Sequence, residues 1–116
     1  MGQLFFKKRF QEAIRAGIKR TTIRRWNKPM ARAGERAWSP GLGFLHIEAV
    51  EAVDLDKLSD ADALTDGFET VAALKDALHQ LFPDHASDAK QWFRVRFALP
   101  AAGEGTKPTE RQQTLF

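Results

Sequence analysis

The chain has 116 residues, a formal net charge of +3 and no cysteine. This length fits one domain with a single hydrophobic core, and the lack of cysteine excludes disulfides, thiolate metal sites and a cysteine nucleophile. No apolar run approaches the roughly 20 residues of a membrane-spanning helix, and the basic, aromatic start does not resemble a secretory signal. We therefore expect a soluble, cytoplasmic protein that does not contact a membrane.

The first predicted element is a basic amphipathic helix. Phe6, Phe10, Ala13 and Ile14 recur at helical spacing among lysine and arginine residues. Gly17 follows, and glycine closes helices because it readily adopts the left-handed conformation. The helix is therefore expected to end at this glycine.

Strands are predicted next, over residues 21–26, 35–38 and 44–53, with a loop over 27–34. The longest of them alternates, so that Leu45, Ile47 and Ala49 share one side, and we expect it to bend near Glu51. These short segments, broken by glycine and proline, indicate a curved sheet rather than a flat one.

The second half begins with acidic residues 62–68, which predict about one helical turn. Thr70 is a suitable cap for a helix whose apolar stripe runs to Leu81. Residues 91–99 alternate as a final strand, ended by Pro100. We predict an α+β fold, a small and partly open β-barrel with flanking helices over residues 1–100, followed by a flexible tail over residues 101–116.

Charge is sorted along the sequence. The net charge is +9 over residues 1–36, zero over 37–46, −8 over 47–90 and +2 over 91–116. Arginine outnumbers lysine in the first block, and phenylalanine and tryptophan are interleaved with it, a combination that suits single-stranded nucleic acid. We interpret this block as a phosphate-attracting face; the alternative is that the basic and acidic blocks neutralise each other across the surface.

The segment from Gly17 to Arg24 carries most of the chemical information. A helix end leads directly into a strand, and Lys19, Thr21, Thr22 and Arg24 project from that entrance. Cationic and hydroxyl groups in this arrangement suit an anion, a nucleotide or a polarised carbonyl group.

Over about residues 5–99 the sequence resembles the ASCH domains of the PUA-like superfamily. The motifs that carry this resemblance stand in order along the chain: Phe10-x-x-x-Ile14-x-x-Gly17-x-Lys19-x-Thr21-Thr22-x-Arg24, Gly34-Glu35, Asp66-Gly67-Phe68, Phe82-Pro83 and Trp92-Phe93-Arg94-Val95-Arg96-Phe97. The resemblance implies a β-barrel with flanking helices, a cleft whose floor carries the Gly-x-Lys segment, and an association with RNA.

The resemblance also implies an activity. Some small bacterial ASCH proteins are amidohydrolases that remove the acetyl group from N4-acetylcytidine by means of a lysine, a threonine and a glutamate, and others are described as ribonucleases for single-stranded RNA. The lysine corresponds to Lys19 and the threonine to Thr22. The acid falls at Asp66, where many relatives have glutamate, so the side chain here is one methylene shorter.

Amide hydrolysis requires a nucleophile, a base and a donor for the oxyanion. Thr22 could supply the hydroxyl and Lys19 the base, provided that burial lowers the pKa of the lysine. Asp66 would orient the lysine or shuttle a proton, and Arg24 or a backbone N–H would receive the oxyanion. Alternatively, Lys19 is the electrophilic donor and Asp66 activates a water molecule. A third possibility is a module that binds single-stranded RNA or DNA without catalysis.

Further side chains are candidates for binding the nucleic acid or nucleoside, with Trp38 as an additional stacking surface near the cleft. They are Thr21, Arg24, Arg25, Trp26, Arg94 and Arg96. The three histidines show no metal-ligand spacing, and we expect neither a metal nor another cofactor.

The last residues contain a separate motif. Gln112, Leu115 and Phe116 form a Gln-x-x-Leu-Phe pattern that resembles the peptide by which bacterial replication and repair proteins bind the DNA sliding clamp. A Leu-Phe pair on a polar segment requires an apolar pocket on a partner. We therefore expect the sliding clamp as a possible second partner.

Overall fold

The computed structural model describes residues 2–85 and 87–99. The predicted tail and its Gln-x-x-Leu-Phe motif lie outside these residues. Along the chain the elements are β1 (Gly2–Gln3), α1 (Lys8–Arg15), β2 (Thr21–Trp26), β3 (Arg36–Ser39), β4 (Gly43–Ala52), a 3-10 turn (Leu55–Lys57), α2 (Asp60–Thr65), α3 (Val71–Leu81) and β5 (Gln91–Ala98).

The strands form one sheet in the order β1-β3-β4-β5-β2. The four longer strands pair antiparallel and curl into a half-barrel, while the short β1 pairs parallel with β3. This arrangement confirms the predicted α+β fold with a partly open barrel. Strand β1 was not predicted, because two residues are too few to show a periodic pattern.

Apolar side chains pack on both faces of the sheet. On one face, Ile14 of α1 joins side chains of β3, β4 and β5, among them Leu45 and Phe97. On the other side, Ile23 and Trp92 pack against α2 and α3 through residues such as Leu74. Since α2 and α3 cover the β2 side of the sheet, they also delimit the region beside this edge strand.

Strand β4 contains an irregularity that the sequence pattern does not reveal. Its register against β5 shifts between Ile47 and Ala49, where one extra residue is inserted. Ala49 consequently does not share the core side with Leu45 and Ile47, and Val50 packs against the core instead. The predicted side of Ala49 was therefore wrong, and the irregularity lies before the bend expected at Glu51.

Two helix ends position the candidate site. Gly17 has φ +78° and closes α1, with the amides of Ile18 and Lys19 both donating to the carbonyl of Ala13. At the end of α2, Gly67 has φ +94° and the amide of Phe68 donates to the carbonyl of Ala63. Residues 18–19 and residue 66 thus stand at two tightly fixed chain reversals.

In the described part of the chain, no helix is long and apolar enough to cross a membrane.

Candidate functional site

A cavity of about 370 Å³ opens beside the edge strand β2. It lies between α3 and the segment that leads into α1. Most of its wall is apolar or aromatic, and a polar group of side chains closes one end. The lining includes Phe6, Phe10, Phe68, Leu81 and Phe82 on the apolar side, and Lys19, Thr22, Arg24 and Asp66 at the polar end.

The centre of the polar end is a buried ion pair. The Nζ atom of Lys19 donates to Oδ1 of Asp66 at 2.9 Å and to the backbone carbonyl of Asp66 at 2.7 Å. Both side chains are only 4% exposed. An ammonium group has three N–H donors, and the described residues occupy two, so one remains for a ligand in the cavity.

The short side chain of Asp66 reaches the lysine. Gly67, directly after Asp66, packs its Cα against the aliphatic part of Lys19, where an added Cβ would lie 3.5 Å from Cβ of the lysine. The end of α2 therefore approaches β2 closely enough for an aspartate to make the contact.

Three phenylalanine rings surround the lysine. Nζ of Lys19 lies 5.0 Å from the ring centroid of Phe10 and 6.0 Å from those of Phe6 and Phe68. Such contacts stabilise a cation by its attraction to the ring faces, but they do not replace the water that burial removes. The lysine thus sits in an aromatic cage with a single carboxylate as its charged partner among the described residues.

Burial lowers the pKa of Lys19, because removal of water disfavours the ammonium form. The charge of Asp66 and its hydrogen bond oppose this effect, and the nearby Arg24 reinforces it. Burial also lowers the pKa of Arg24, although an arginine stays protonated at neutral pH. A lysine with a lowered pKa is the kind of group that can act as a base near neutral pH.

This shift predicts a pH-dependent stability. Between the lowered pKa and 10.5, the value of an unburied lysine, the unfolded chain holds a proton on Lys19 that the folded chain has lost. Folding then releases a proton, so the free energy of unfolding should rise with pH in this window and fall as the pH is lowered through it. Urea denaturation from neutral pH to pH 10.5 should show this rise in the wild type and in the exposed-lysine control Lys57→Met. A Lys19→Met variant should lack it, and an equal rise in that variant would contradict the assignment.

Thr22 and Arg24 form the second half of the polar end. The Nε atom of Arg24 donates to Oγ1 of Thr22 at 3.2 Å, and its NH2 group donates to the carbonyl of Phe5 at 2.8 Å. The guanidinium carbon also lies 5.0 Å from the ring centroid of Phe6. Arg24 therefore fixes both the threonine hydroxyl and the chain segment that forms the opposite wall.

Thr21 has a different position from its neighbour. Its hydroxyl donates to Oδ2 of Asp66 at 3.0 Å, and the side chain is buried and does not line the cavity. Both oxygens of Asp66 thus accept a hydrogen bond, one from Lys19 and one from Thr21. In this arrangement Thr21 holds the carboxylate rather than contacting a ligand.

The other predicted binding residues lie away from the cavity. Arg25 pairs with Asp88 at 3.0 Å and lies against Trp92, and Trp26 packs on Phe93 with 5.8 Å between ring centroids. Arg94 pairs with Glu51 and, at 3.1 Å, with Asp62. Arg96 is exposed on β5, and Trp38 lies on β3, not near the cleft as expected.

Ion pairs join the basic and acidic blocks of the sequence. Lys19 with Asp66 and Arg25 with Asp88 each link residues 1–36 to residues 47–90. Mutual neutralisation of the two blocks, the alternative considered from the sequence, therefore accounts for part of the charge pattern. Lys7 lines the cavity, and neither it nor the adjoining Lys8 and Arg9 make an ion pair within the described residues, so a smaller basic rim remains.

Sequence reasoning missed the contribution of α3 to the site. Ala77, Leu78 and Leu81 of α3, with Phe82 directly after it, line the cavity. The sequence showed only the apolar stripe of the helix, to which Leu81 belongs; in the fold Leu81 is 45% exposed. An exposed residue in the apolar stripe of a helix indicates that the stripe extends beyond the area packed against the core.

Comparisons with known proteins reveal the fold but no sequence family. No family model and no curated protein matches the sequence. Among solved structures, a hypothetical protein is similar with 12% identity and a TM-score of 0.67, over 83% of this chain and 95% of that one.

Two ASCH structures are also similar. An ASCH domain from Lactobacillus crispatus shares 16% identity with a TM-score of 0.63, over 77% of this chain and 69% of that one. A variant of the ASCH protein from Zymomonas mobilis shares 19% identity with a TM-score of 0.53, over 82% of this chain and 66% of that one. The protein therefore has the ASCH-type fold that the sequence motifs predicted.

Proposed function

We propose that this is an ASCH-type protein that interacts with RNA or a nucleoside, and that its cavity hydrolyses the amide of N4-acetylcytidine or a related modified nucleoside. The observation that carries the proposal is the buried Lys19–Asp66 pair at the end of an aromatic cavity of about 370 Å³. This volume lies within the usual range of small-molecule sites, about 300–1,000 Å³.

The composition of the cavity favours a nucleobase over a simple anion. Phenylalanine rings offer stacking surfaces to a flat heterocycle, while Lys19 and Thr22 line the polar end of the cavity, where its polar edge would lie. A site for a simple anion would contain several cationic side chains and would not need an apolar wall. An acetylated cytosine combines a flat ring, polar edge atoms and a small apolar group.

The proposed reaction consumes water and yields cytidine and acetate. The hydroxyl of Thr22 adds to the acetyl carbon and gives its proton to neutral Lys19. The bond between the acetyl carbon and N4 then breaks as N4 of the cytosine takes that proton from Lys19. An acetyl ester is left on Thr22. Water hydrolyses this ester, which releases acetate and restores the hydroxyl. Arg24, which already contacts Thr22, is the cation that would receive the developing oxyanion.

The hydrogen bonds of Asp66 favour this scheme over one in which Asp66 activates water. Both of its oxygens accept hydrogen bonds, and the residue is only 3% exposed. A carboxylate that removes a proton from the attacking water molecule needs a free oxygen facing the ligand. Asp66 is better suited to positioning Lys19, with Thr21 as its second support.

The direct test is incubation of the purified protein with N4-acetylcytidine, with free cytidine measured by chromatography. The proposal expects turnover that falls as the pH is lowered through the pKa of Lys19, because the protonated lysine cannot accept the proton of Thr22. Absence of cytidine at any pH, with a folded protein, would refute the hydrolytic part.

The competing function is binding or cleavage of single-stranded RNA, and the basic rim of Lys7, Lys8 and Arg9 supports it. The salt dependence of binding distinguishes the two functions, because phosphate contacts release counterions and binding of a nucleoside in a pocket does not. Strong loss of RNA affinity with salt and no release of cytidine would favour a binding module. Shortening of an unpaired RNA would favour a ribonuclease.

The Gln-x-x-Leu-Phe motif supports a second, separate proposal, an interaction of residues 112–116 with a sliding clamp. A peptide of residues 107–116 should bind purified bacterial clamp, and the same peptide with Leu115→Ala and Phe116→Ala should not, because the Leu-Phe pair supplies the apolar contact. Fluorescence anisotropy measures both affinities. Equal binding of the two peptides, or none at high micromolar concentration, would contradict the motif.

A further inference from the structure

A second surface that carries arginine and aromatic side chains lies toward the opposite edge of the sheet from the cavity, near β3. Helices α2 and α3 cover one face of the sheet at Ile23 and Trp92, on its β2 and β5 side. Further along the same face, toward β3, side chains remain at least partly exposed in the described part of the chain. We call these residues the aromatic sheet surface: Arg36, Trp38, Phe44, His46 and Arg96.

Strand register places these side chains together. Trp38 stands opposite Phe44, and Arg36 stands opposite His46, on the paired strands β3 and β4. His46 in turn stands opposite Ala98 on β5, two residues beyond Arg96. Because directly opposed residues project from the same face, all five belong to one surface. With the usual strand spacing and rise, Arg36 and Arg96 stand about 12 Å apart.

The aromatic part of this surface is ordered by its own contacts. The ring centroids of Trp38 and Phe44 lie 5.1 Å apart with a 71° angle between the planes. The guanidinium carbon of Arg36 lies 4.4 Å from the centroid of Phe44. Trp38 nevertheless stays 41% exposed. A preformed cluster that leaves a large indole open is a typical stacking surface.

The aromatic sheet surface carries positive charge. Arg36 and Arg96 form no ion pair among residues 2–85 and 87–99, unlike Arg94, whose guanidinium is held by Glu51 and Asp62. Glu35, next to Arg36 in the sequence, pairs with Arg32 instead, and Glu48 is left without a partner in the strand register by the irregularity of β4. The surface therefore offers two free guanidinium groups and one indole, which complement phosphates and an unstacked base.

We propose that the aromatic sheet surface binds single-stranded nucleic acid, with a base stacked on Trp38 and phosphates on Arg36 and Arg96. A duplex is excluded as the preferred ligand, because its bases are already stacked and cannot contact the indole. This inference rests on the RNA-interacting part of the proposed function and not on the hydrolysis. It adds a second contact region on β3 to β5, separate from the cavity at β2.

The test is fluorescence anisotropy with a fluorescein-labelled 12-mer of uridylate, measured at several salt concentrations. Trp38→Ala should weaken binding about 10-fold or more, and Trp38→Phe should restore most of it, since the phenyl ring still stacks. Arg36→Ala and Arg96→Ala should each lower the slope of log affinity against log salt by about 0.7, the loss of one phosphate contact. Matched controls are Met30→Ala and Arg32→Ala, which change exposed side chains in the loop before β3.

Each result supports or overturns the proposal. Unchanged affinity in Trp38→Ala, with a circular dichroism melt like that of the wild type, would overturn it. A wild-type dimer that Trp38→Ala dissociates would also overturn it, since a second copy would then be the occupant. Hydrolysis of free N4-acetylcytidine should be the same in Trp38→Ala and wild type. If neither the wild type nor the variants hydrolyse N4-acetylcytidine but the wild type still binds the oligonucleotide, the proposed hydrolysis is refuted and the proposed binding surface is not.

Discussion

Replacing Lys19 with methionine is expected to lower the free energy of unfolding by about 3–5 kcal/mol, as found when one partner of a buried ion pair is removed. The loss arises because the carboxylate of Asp66 stays buried and keeps Thr21 as its remaining side-chain donor. Urea denaturation near neutral pH, followed by circular dichroism, measures the change.

Two further variants make this prediction specific. The double variant Lys19→Met with Asp66→Asn removes both charges and keeps an acceptor for Thr21, so it should recover more than half of the lost stability. Lys75→Met breaks an ion pair with Asp56, whose side chain is 90% exposed, and should cost no more than about 1 kcal/mol. A Lys19→Met variant as stable as Lys75→Met would mean that the lysine is not buried in solution.

Thr22→Val is expected to reduce the hydrolysis of N4-acetylcytidine by about 10³-fold or more, because it removes the proposed nucleophile while keeping the shape of the side chain. Valine favours strands as threonine does, so β2 should form normally. The structural cost is the hydrogen bond from Nε of Arg24, about 1 kcal/mol. Release of cytidine under saturating substrate measures the rate.

The matched variant for this prediction is Thr22→Ser, which keeps the hydroxyl. It should retain activity within about 10-fold of the wild type, since the attacking atom is the same. Thr22→Val with the rate of Thr22→Ser would exclude the ester intermediate. The alternative considered from the sequence, in which Asp66 activates a water molecule, would then be tested with the variant Asp66→Asn.

Local chain reversals explain why so much of the site could be predicted from the sequence. Gly17 ends α1 where its spacing indicated, β2 begins at Thr21 as expected, and these two facts alone place Lys19 at a strand entrance. The Asp66-Gly67 pair likewise reads as a turn in any small domain. Such features depend on backbone preferences within a few residues, which a single sequence records.

The contacts between distant segments were not predictable in the same way. Nothing in the spacing of Arg25 or Arg94 distinguishes a binding residue from one held by Asp88 or Glu51, because those partners stand more than 40 positions away in sequence. The aromatic cage around Lys19 was equally hidden, since Phe6 and Phe10 come from the start of the chain and Phe68 follows α2. Family resemblance supplied the pairing of Lys19 with Asp66, and tertiary packing supplied the rest.

The extra residue in β4 gives this strand a tolerance to changes in length. Because the irregularity absorbs one residue of the Glu48 and Ala49 pair, deleting either would leave Leu45, Ile47 and Val50 facing the interior as they do now. A deletion elsewhere in the strand would reverse the orientation of the residues beyond it. Natural variants that lose one amino acid without losing the fold are therefore expected to lose it at this position.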